Sequence, residues 1–356
     1  MTQVLQQPAV TGLITNESVL NEDVPPAREN IVGWGEELEM IRVALDPIAR
    51  GNQIESLRVF GPPGAGKTHC VEVMLQHLYD ADNGIDGFGW EVISCYEDDT
   101  RTKILASAVA AVTGGSAQSL QNTDPSRLRE RFRSNLSQPF MLVCDEVDIL
   151  DRDAMTALRE VLGSDNCAIT LIANDEEQFF ETITSSLESR LKGSYVADFD
   201  EYSVSDVSEI LRVRAKYGLA ADVVAERDRE AIAEEIAPNA RNAIVALRKA
   251  VKSAAANGRR SVSVADIERA IPDARQYIRR KQYDQLRETQ QILVDVIEEA
   301  DGRVDCSTVK EEYHDRLDED VSDRQRRRNL GKLENYGFIE TDGSTKDAEY
   351  QYIKLE

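Results

Sequence analysis

Histidine and cysteine are scarce in this sequence, and long apolar runs are missing. Its 356 residues include 3 His and 5 Cys, and the cysteines are scattered, without a C-x-x-C pair. We therefore expect free thiols and no structural zinc site, because such a site brings four ligands of these types together. No stretch of 18 uncharged apolar residues occurs, and the N-terminus lacks a basic-then-apolar signal pattern. These absences predict a cytoplasmic protein without a membrane span.

Lysine is scarce as well. Only 11 of the 42 basic residues are lysines, and 65 acidic residues give a net charge of −23. Dense surface carboxylates are tolerated where dissolved salt screens their mutual repulsion. The composition therefore favours a proteome adapted to high internal salt, with an ordinary acidic protein as the alternative. Acidity of this origin describes the solvent more than the partner, so it does not exclude nucleic acid.

Patterns of apolar residues divide the chain into four regions. Residues 1–29 lack periodicity and predict a flexible N-terminal arm. Short apolar strands alternate with helices over residues 30–203, which predicts a parallel sheet covered on both faces. Residues 204–273 are wholly helical and predict a lid domain, and residues 274–356 predict a third domain. The strands are expected at residues 57–60, 90–95, 140–144, 168–173 and 195–199.

A glycine-rich segment follows the first predicted strand and opens a helix. Its glycines let backbone N–H groups close around phosphates, and the helix N-terminus adds partial positive charge. Lys67 is expected to reach the β- and γ-phosphates of ATP, and the Thr68 hydroxyl to take a position on Mg²⁺. The segment has the G-x-x-x-x-G-K-T pattern of a phosphate-binding loop and consists of Gly61, Pro62, Pro63, Gly64, Ala65, Gly66, Lys67 and Thr68.

Polar residues follow the third and fourth predicted strands of the core, at residues 140–144 and 168–173. Asp145 is placed to hold Mg²⁺, together with Thr68, and Glu146 to polarise the water that attacks the γ-phosphate. Asn174 follows the strand at 168–173 and is a candidate to orient the same water. A turn or a helix cap is the alternative interpretation of Asn174.

Two arginines are further candidates for catalysis. Arg190 precedes the last predicted strand, and as an arginine finger it would contact the γ-phosphate of a neighbouring subunit. Arg241 begins a lid helix that Asn239 caps, from where it would report the γ-phosphate to the lid. A surface arginine and a helix-surface cation, respectively, are the alternatives.

The segment between the two nucleotide motifs is unusually long. Asp145 follows Lys67 by 78 residues, and the surplus contains helical patterns at 101–112 and 125–137. The second pattern is rich in arginine. It predicts either an amphipathic packing helix with a solvated basic face, or a helix that contacts DNA or a neighbouring subunit.

Three helical patterns and a two-stranded hairpin end the chain, in the order of a winged helix. Ser322 is the expected N-cap of the third helix, whose Leu330 and Leu333 face inward if each residue turns the helix by about 100°. Arg327 flanks this apolar seam. A winged helix used for protein contact is the alternative to DNA binding. The candidate DNA contacts on the outer face are Arg324, Gln325, Arg328 and Lys332.

In this order, the motifs from Pro25 onward resemble the archaeal origin-recognition initiator family, relatives of the eukaryotic ORC and licensing-factor subunits. The chain departs from the family pattern at Trp34 (usually Arg), at Ser189 (usually Pro) and at Pro238-Asn239 (usually Gly-Asp). The segments that carry the resemblance are the phosphate-binding loop, Val24-Pro25-Pro26, Ile31-Val32-Gly33, Glu36-Glu37-Leu38, Asp145-Glu146-Val147-Asp148, Ala173-Asn174-Asp175, Ser189-Arg190-Leu191-Lys192, Ala240-Arg241 and the winged helix.

The resemblance implies an α/β P-loop AAA+ core, a helical lid and a C-terminal winged helix. It also implies slow, switch-like ATP hydrolysis and an adenine pocket lined by Ile31 and Val32. The implied partners are double-stranded origin DNA at the nucleoid, other initiator subunits and the replicative helicase, which the protein would help to recruit or load. A RuvB-like branch-migration motor and a nucleotide-switched winged-helix transcription regulator are the alternatives.

Overall fold

The computed structural model describes residues 12–49, 54–80, 88–317, 321–343 and 347–354. The chain divides into two compact units, Met1–Glu268 and Arg269–Glu356. Residues 1–11 of the arm predicted at 1–29, and part of the turn predicted between the two wing strands, lie outside the described residues. Within the described part of the chain, no helix is both long and apolar enough to cross a membrane.

A five-stranded sheet forms the centre of the first unit. Each sequence-predicted strand is confirmed to within one residue at either end. The strands are β1 (Leu57–Phe60), β2 (Gly89–Ser94), β3 (Phe140–Asp145), β4 (Cys167–Ile172) and β5 (Tyr195–Asp198). Their order is β2-β3-β4-β1-β5, and every neighbouring pair is parallel. The carboxyl ends of all five strands therefore meet at one edge of the sheet, which is where ligands bind in such folds.

Helices cover both faces of this sheet. The side chains of each strand point alternately to the two faces, so alternate residues of a buried strand belong to two different apolar cores. In β3, Phe140, Leu142 and Cys144 belong to one apolar core. Met141 and Val143 belong to the core on the other face. The covering helices are α1 (Gly35–Ala49), α2 (Lys67–Asp80), α3 (Arg101–Thr113), α4 (Pro125–Asn135), α5 (Ala154–Leu162), α6 (Glu176–Thr182) and α7 (Ser185–Leu191).

The helical region that follows the sheet begins with a capping box, in which Ser203 and Asp206 satisfy each other's backbone N–H groups. The last helix of this region continues across the domain boundary predicted after residue 273, and Pro272 lies inside it. The helices are α8 (Val204–Gly218), α9 (Glu226–Ile236), α10 (Ala240–Ala256) and α11 (Val264–Gln285).

The N-terminal segment is ordered where the sequence predicts a flexible arm. Ile14 forms a β-bridge with Leu219, just beyond α8. Leu20 is fully buried, and the buried Arg214 of α8 donates to backbone carbonyl groups of the same segment. The arm prediction is therefore wrong for residues 13–24. A β-bridge, the side-chain hydrogen bonds of Arg214 and one buried leucine hold this segment, and none of these produces a periodic pattern in the sequence.

After the C-terminal part of α11, the second unit combines three helices with a three-stranded antiparallel sheet, the elements that the predicted winged helix requires. Its sheet order is β6-β8-β7. The sequence predicts only a two-stranded hairpin, because β6 has two residues and is too short for an alternating pattern. After α11, the elements are α12 (Glu288–Glu299), β6 (Val304–Asp305), α13 (Cys306–Arg316), α14 (Asp323–Asn335), β7 (Ile339–Asp342) and β8 (Glu349–Tyr352).

Candidate functional site

The glycine-rich loop joins β1 to α2 and lies tightly against the end of β5. Gly61 has a φ of 137°, and a Cβ added to it would lie 2.2 Å from the Phe199 carbonyl oxygen. Gly66, at the other end of the loop, has a φ of 83°. Both conformations favour glycine, because an L side chain rarely adopts a positive φ. The local sequence therefore fixes a tight loop whose backbone can approach a phosphate closely.

Lys67 is the first residue of α2 and lies within the site, 7% exposed. Its Nζ donates to the carbonyl oxygens of Gly61 and Pro62, at 2.5 and 2.9 Å, and to Asn174 Oδ1 at 3.2 Å. Burial lowers the pKa of Lys67 below its ordinary value, and the charge of Asp145 opposes that shift. The structure thus brings Lys67 of the loop and Asn174 beyond the end of β4 together.

The acids at the end of β3 face the loop. The Thr68 hydroxyl donates to Asp145 Oδ2 at 2.6 Å. Burial raises the pKa of Asp145, and its hydrogen bond with Thr68 and the charge of Lys67 act in the opposite direction. A hydroxyl and a carboxylate oxygen are ligands that Mg²⁺ accepts. The donor set at this position therefore fits a magnesium ion.

Glu146 has an unusual backbone and an unusual acidity. Its φ of 58° and ψ of 42° are left-handed, a strained conformation that recurs at functional sites. Burial, followed by the charges of Asp145 and Asp148, raises the pKa of the Glu146 carboxyl to about 8. The Ser94 hydroxyl donates to Glu146 Oε2 at 3.4 Å. A carboxyl poised near neutral pH is suited to proton transfer.

Two residues of this site had no role in the sequence interpretation. Asp148 Oδ2 accepts a hydrogen bond from the Asn174 backbone N–H at 3.3 Å, which links the ends of β3 and β4. Ser94 ends β2 and reaches Glu146 from the other side. The available signal was positional, since each residue lies at or just beyond the carboxyl end of a core strand.

The helical region after the sheet, predicted to be a lid, contributes the start of α10. Asn239 caps this helix by accepting from the Asn242 backbone N–H at 3.0 Å. A Cβ added to Gly64 would lie 3.6 Å from the Asn239 side chain, so the cap faces the phosphate-binding loop. Arg241 is exposed, and its positive charge lowers the pKa values of Asp145 and Glu146 against the larger effect of burial. Arg241 therefore lies near the acids of the site.

Arg190 contacts a different part of the domain. Its guanidinium is exposed on α7 and donates to the Leu162 carbonyl oxygen at 3.4 Å. The structure thus leaves Arg190 on the surface of its own chain, where a finger acting on a neighbouring subunit has to be.

Ile31 and Val32 line a cavity of about 350 Å³. Both residues are half-buried and precede α1. The opposite wall belongs to α8 and mixes charged and aromatic side chains. It is formed by Glu209, Arg212, Val213, Lys216 and Tyr217, and Glu29 and Asn30 complete the lining.

The third helix of the second unit presents fewer cations than the sequence predicts. Arg327 is exposed, and Arg328 and Gln325 are half-buried. Lys332, placed on the outer face by helix geometry, is instead 3% exposed, and that prediction is wrong. The reason is that α14 packs against both α12 and β7, so its buried face is wider than the two-leucine seam. The side chain of Arg324 lies outside the described residues.

Comparison with known proteins shows what this chain is similar to. Residues 30–171 match the AAA ATPase domain. A relative from Halobacterium salinarum, ORC1-type DNA replication protein 9, is 27% identical over 317 residues, which cover 89% of this chain and 88% of that protein. The resemblance and the ATPase that the sequence predicts are thereby confirmed, and a haloarchaeal relative agrees with the high-salt composition.

Solved structures agree on the fold. The Aeropyrum pernix ORC1 protein in complex with DNA aligns with a TM-score of 0.71 at 20% identity, over 96% of this chain and 94% of that one. The Thermotoga maritima RuvB Holliday junction branch migration motor aligns with a TM-score of 0.52 at 16% identity, over 93% and 95%. The AAA+ core predicted from the sequence is therefore confirmed as the fold.

Proposed function

Because this chain is an AAA+ ATPase similar over most of its length to an ORC1-type DNA replication protein, we propose that it is an ATP-dependent initiator of DNA replication. It binds double-stranded origin DNA, assembles with other initiator subunits, and helps to recruit or load the replicative helicase. ATP acts as a switch in this scheme, so that hydrolysis is slow and ends the active state.

The observation that carries the proposal is the convergence of Lys67, Thr68, Asp145 and Asn174 at the ends of three strands. Residues 61–68 bind the phosphates of ATP. Thr68 and Asp145 hold Mg²⁺, which neutralises phosphate charge when bound.

The remaining residues of the site act on the attacking water and report the nucleotide. Glu146 accepts a proton from the water, and Asn174 holds that water in line with the γ-phosphate. Arg241 reports the state of the γ-phosphate to the lid. Ile31 and Val32 line the pocket that binds adenine. Arg190 completes the site of a neighbouring subunit.

DNA binding rests on local rather than global charge. Residues 274–356 carry 15 basic and 20 acidic residues, a net charge of −5. Attraction to DNA therefore depends on α14, where the exposed Arg327 and the half-buried Arg328 and Gln325 are candidates for contacts to phosphates and base edges. Arg324 stays a candidate from the sequence.

The insertion helix α4 is a second candidate surface for DNA. Arg127 and Arg131 are exposed and four residues apart, so they lie on the same face of the helix. Arg129 and Arg133 are instead engaged within the domain, with Glu160 and with the Gly163 carbonyl oxygen. The exposed pair supports contact with a phosphate backbone, and the engaged pair supports the packing role that was the alternative.

Footprinting on the organism's own chromosome tests the function directly. Wild type should occupy a few sites at replication origins, and Lys67→Ala should change that occupancy if ATP controls DNA binding. Sites confined to promoters would favour the transcription regulator. Preferential binding of branched DNA, with strand-exchange activity, would favour the branch-migration motor.

A further inference from the structure

Two separate segments of the chain meet at the side chain of Trp34. Its Nε1–H donates a hydrogen bond of 2.7 Å to the Tyr202 hydroxyl. The centroid of its ring lies 4.8 Å from that of Tyr202 and 5.0 Å from that of Phe199. Phe199 and Tyr202 follow β5 and lead into α8, the first helix of the lid. Trp34 itself follows the segment that lines the cavity at Ile31 and Val32.

Tyr202 also contacts the phosphate-binding loop. A Cβ added to Gly66 would lie 3.0 Å from the Tyr202 hydroxyl oxygen, so this hydroxyl lies against the residue that precedes Lys67. Tyr202 is 8% exposed, and burial raises the pKa of its phenol above the ordinary value. The hydroxyl therefore stays protonated at neutral pH, and the Trp34 N–H fixes its position.

The backbone of Trp34 is held in a costly conformation. Its φ of 57° lies in the left-handed region, which bulky residues rarely adopt. Residues persist there only where their surroundings hold them, and they are concentrated at ligand sites and switch regions. The ring contacts with Phe199 and the hydrogen bond to Tyr202 are the interactions that hold Trp34 there.

We propose that Trp34 is a positioning residue of the nucleotide site, which couples the phosphate-binding loop to the lid through the Tyr202 hydroxyl. The inference rests on the proposed ATP site. A nucleotide that reorders the loop at Gly66 moves this hydroxyl and, with it, the entry to α8. Loss of the Trp34 N–H therefore weakens nucleotide binding. The hydrolysis rate of bound ATP stays unchanged, because Trp34 contacts none of the residues that act on the attacking water.

Two substitutions that retain the rings test this coupling. Trp34→Phe removes the donor and Tyr202→Phe removes the acceptor. Each should raise the KM for ATP by about three- to tenfold, the size expected for one partly buried hydrogen bond. The kcat should stay within about twofold of wild type, as for a residue that binds ground and transition states alike. The effects should not add in the double variant, because both changes remove the same hydrogen bond.

Trp34 fluorescence provides a readout that a purely structural role would not change. The sequence has two tryptophans, so in a Trp90→Phe background the emission comes from Trp34 alone. ATP should change that emission with a midpoint equal to the calorimetric Kd, and Lys67→Ala in the same background should abolish the response. Trp90→Phe by itself is the matched control and should leave KM and kcat unchanged.

The outcomes separate the inference from the proposed function. If calorimetry records ATP binding while Trp34 emission does not respond, or if Trp34→Phe leaves KM unchanged, the inference is wrong. If wild type binds no ATP, the proposed function fails instead. Thermal melting of each variant identifies misfolding, and Tyr202→Phe, which keeps every ring contact, then decides between coupling and packing.

Discussion

The Thr68 hydroxyl donates a hydrogen bond to Asp145 across the carboxyl edge of the sheet. The strands that precede these two residues, β1 and β3, are not neighbours, because β4 lies between them. The adjacent Lys67 makes a second link, to Asn174 beyond the end of β4. Two consecutive residues of α2 therefore tie three strand ends together. This arrangement makes one site of motifs that are far apart in the sequence.

The first prediction separates nucleotide binding from hydrolysis. Lys67→Ala should abolish ATP binding, because it removes the cation of the phosphate-binding loop. Glu146→Gln should retain binding and reduce hydrolysis by at least about a hundredfold, the scale of a positioned acid–base group. Calorimetry and steady-state ATPase assays measure the two effects. Equal loss of binding in both variants would refute the assignment of Glu146.

The second prediction concerns pH. Since burial and its acidic neighbours raise the pKa of Glu146 to about 8, the proton-accepting carboxylate becomes more abundant as pH rises. The kcat/KM for ATP, which reports the free enzyme, should therefore rise with pH to a plateau above pH 8. Asp148→Asn should shift the rise to lower pH, because the negative charge of Asp148 contributes to the raised pKa. Identical pH profiles of wild type and Asp148→Asn would show that the charge of Asp148 does not raise the pKa of Glu146.

The same shift has a consequence for stability. The folded-state pKa of Glu146 lies above its ordinary value of 4.5, so the folded chain binds an extra proton between about pH 4.5 and 8. The stabilisation that comes from protonated Glu146 is present below this pH window and is lost as pH rises through it. Thermal melting of Glu146→Gln should accordingly show a gain over wild type that increases from pH 5 to pH 8.

Which residues meet at the candidate nucleotide site could be predicted from the sequence, because several of them lie at strand ends. β1 was predicted without error, and Asp145 and Asn174 follow from the ends of β3 and β4. The contribution of Asp148 could not be predicted, since its contact with the Asn174 backbone joins two strands whose register only the fold defines. Lys332 was predicted to be exposed but is buried. Helical geometry tells which residues share a face of α14, but it does not tell how wide the face is that neighbouring elements cover.

The third prediction concerns Arg190. If it acts on a neighbouring subunit, Arg190→Ala should bind ATP normally and hydrolyse it poorly. A mixture with Lys67→Ala subunits should recover hydrolysis, because Lys67→Ala lends an intact Arg190 to the filled site of its partner. The ATPase rate per subunit should also rise with protein concentration. A rate independent of concentration would assign Arg190 to its contact with the Leu162 carbonyl alone.

The fourth prediction concerns the N-terminal segment. Arg214 is 5% exposed and donates to the carbonyl oxygens of Val19, Asn21 and Val24. Arg214→Ala removes a buried side chain and the donor to the partly buried carbonyl groups of Val19 and Val24, so it should lower the free energy of unfolding by about 2–4 kcal/mol. It should also expose residues 13–24 to proteolysis.

The matched control for Arg214 is a neighbouring arginine on the same helix. Arg212 is about half exposed and pairs with Glu209 on the surface. Arg212→Ala should change stability by less than about 1 kcal/mol, the usual contribution of an exposed ion pair. Equal losses in the two variants would mean that the contacts of Arg214 with the N-terminal segment contribute little.

The fifth prediction concerns DNA recognition by α14. Arg328→Ala should cost about 1–3 kcal/mol and relax the preference at one base pair, as expected for a contact to a base edge. Arg327→Ala should weaken binding to all sequences alike, because the exposed Arg327 is suited to phosphate. Lys332→Ala should lower thermal stability instead, since Lys332 is buried.

Salt titrations distinguish these roles on a footprinted site and on scrambled DNA. Each phosphate contact steepens the slope of log affinity against log salt by about 0.9, so Arg327→Ala should flatten the slope by one such step. Arg328→Ala should leave the slope nearly unchanged while it reduces discrimination between the two DNAs. With a net charge of −5 over residues 274–356, binding cannot depend on many phosphate contacts, and it should persist at high salt. If both variants bind the footprinted site as tightly as wild type, α14 is not the reader, and Arg127 and Arg131 of α4 become the residues to substitute next.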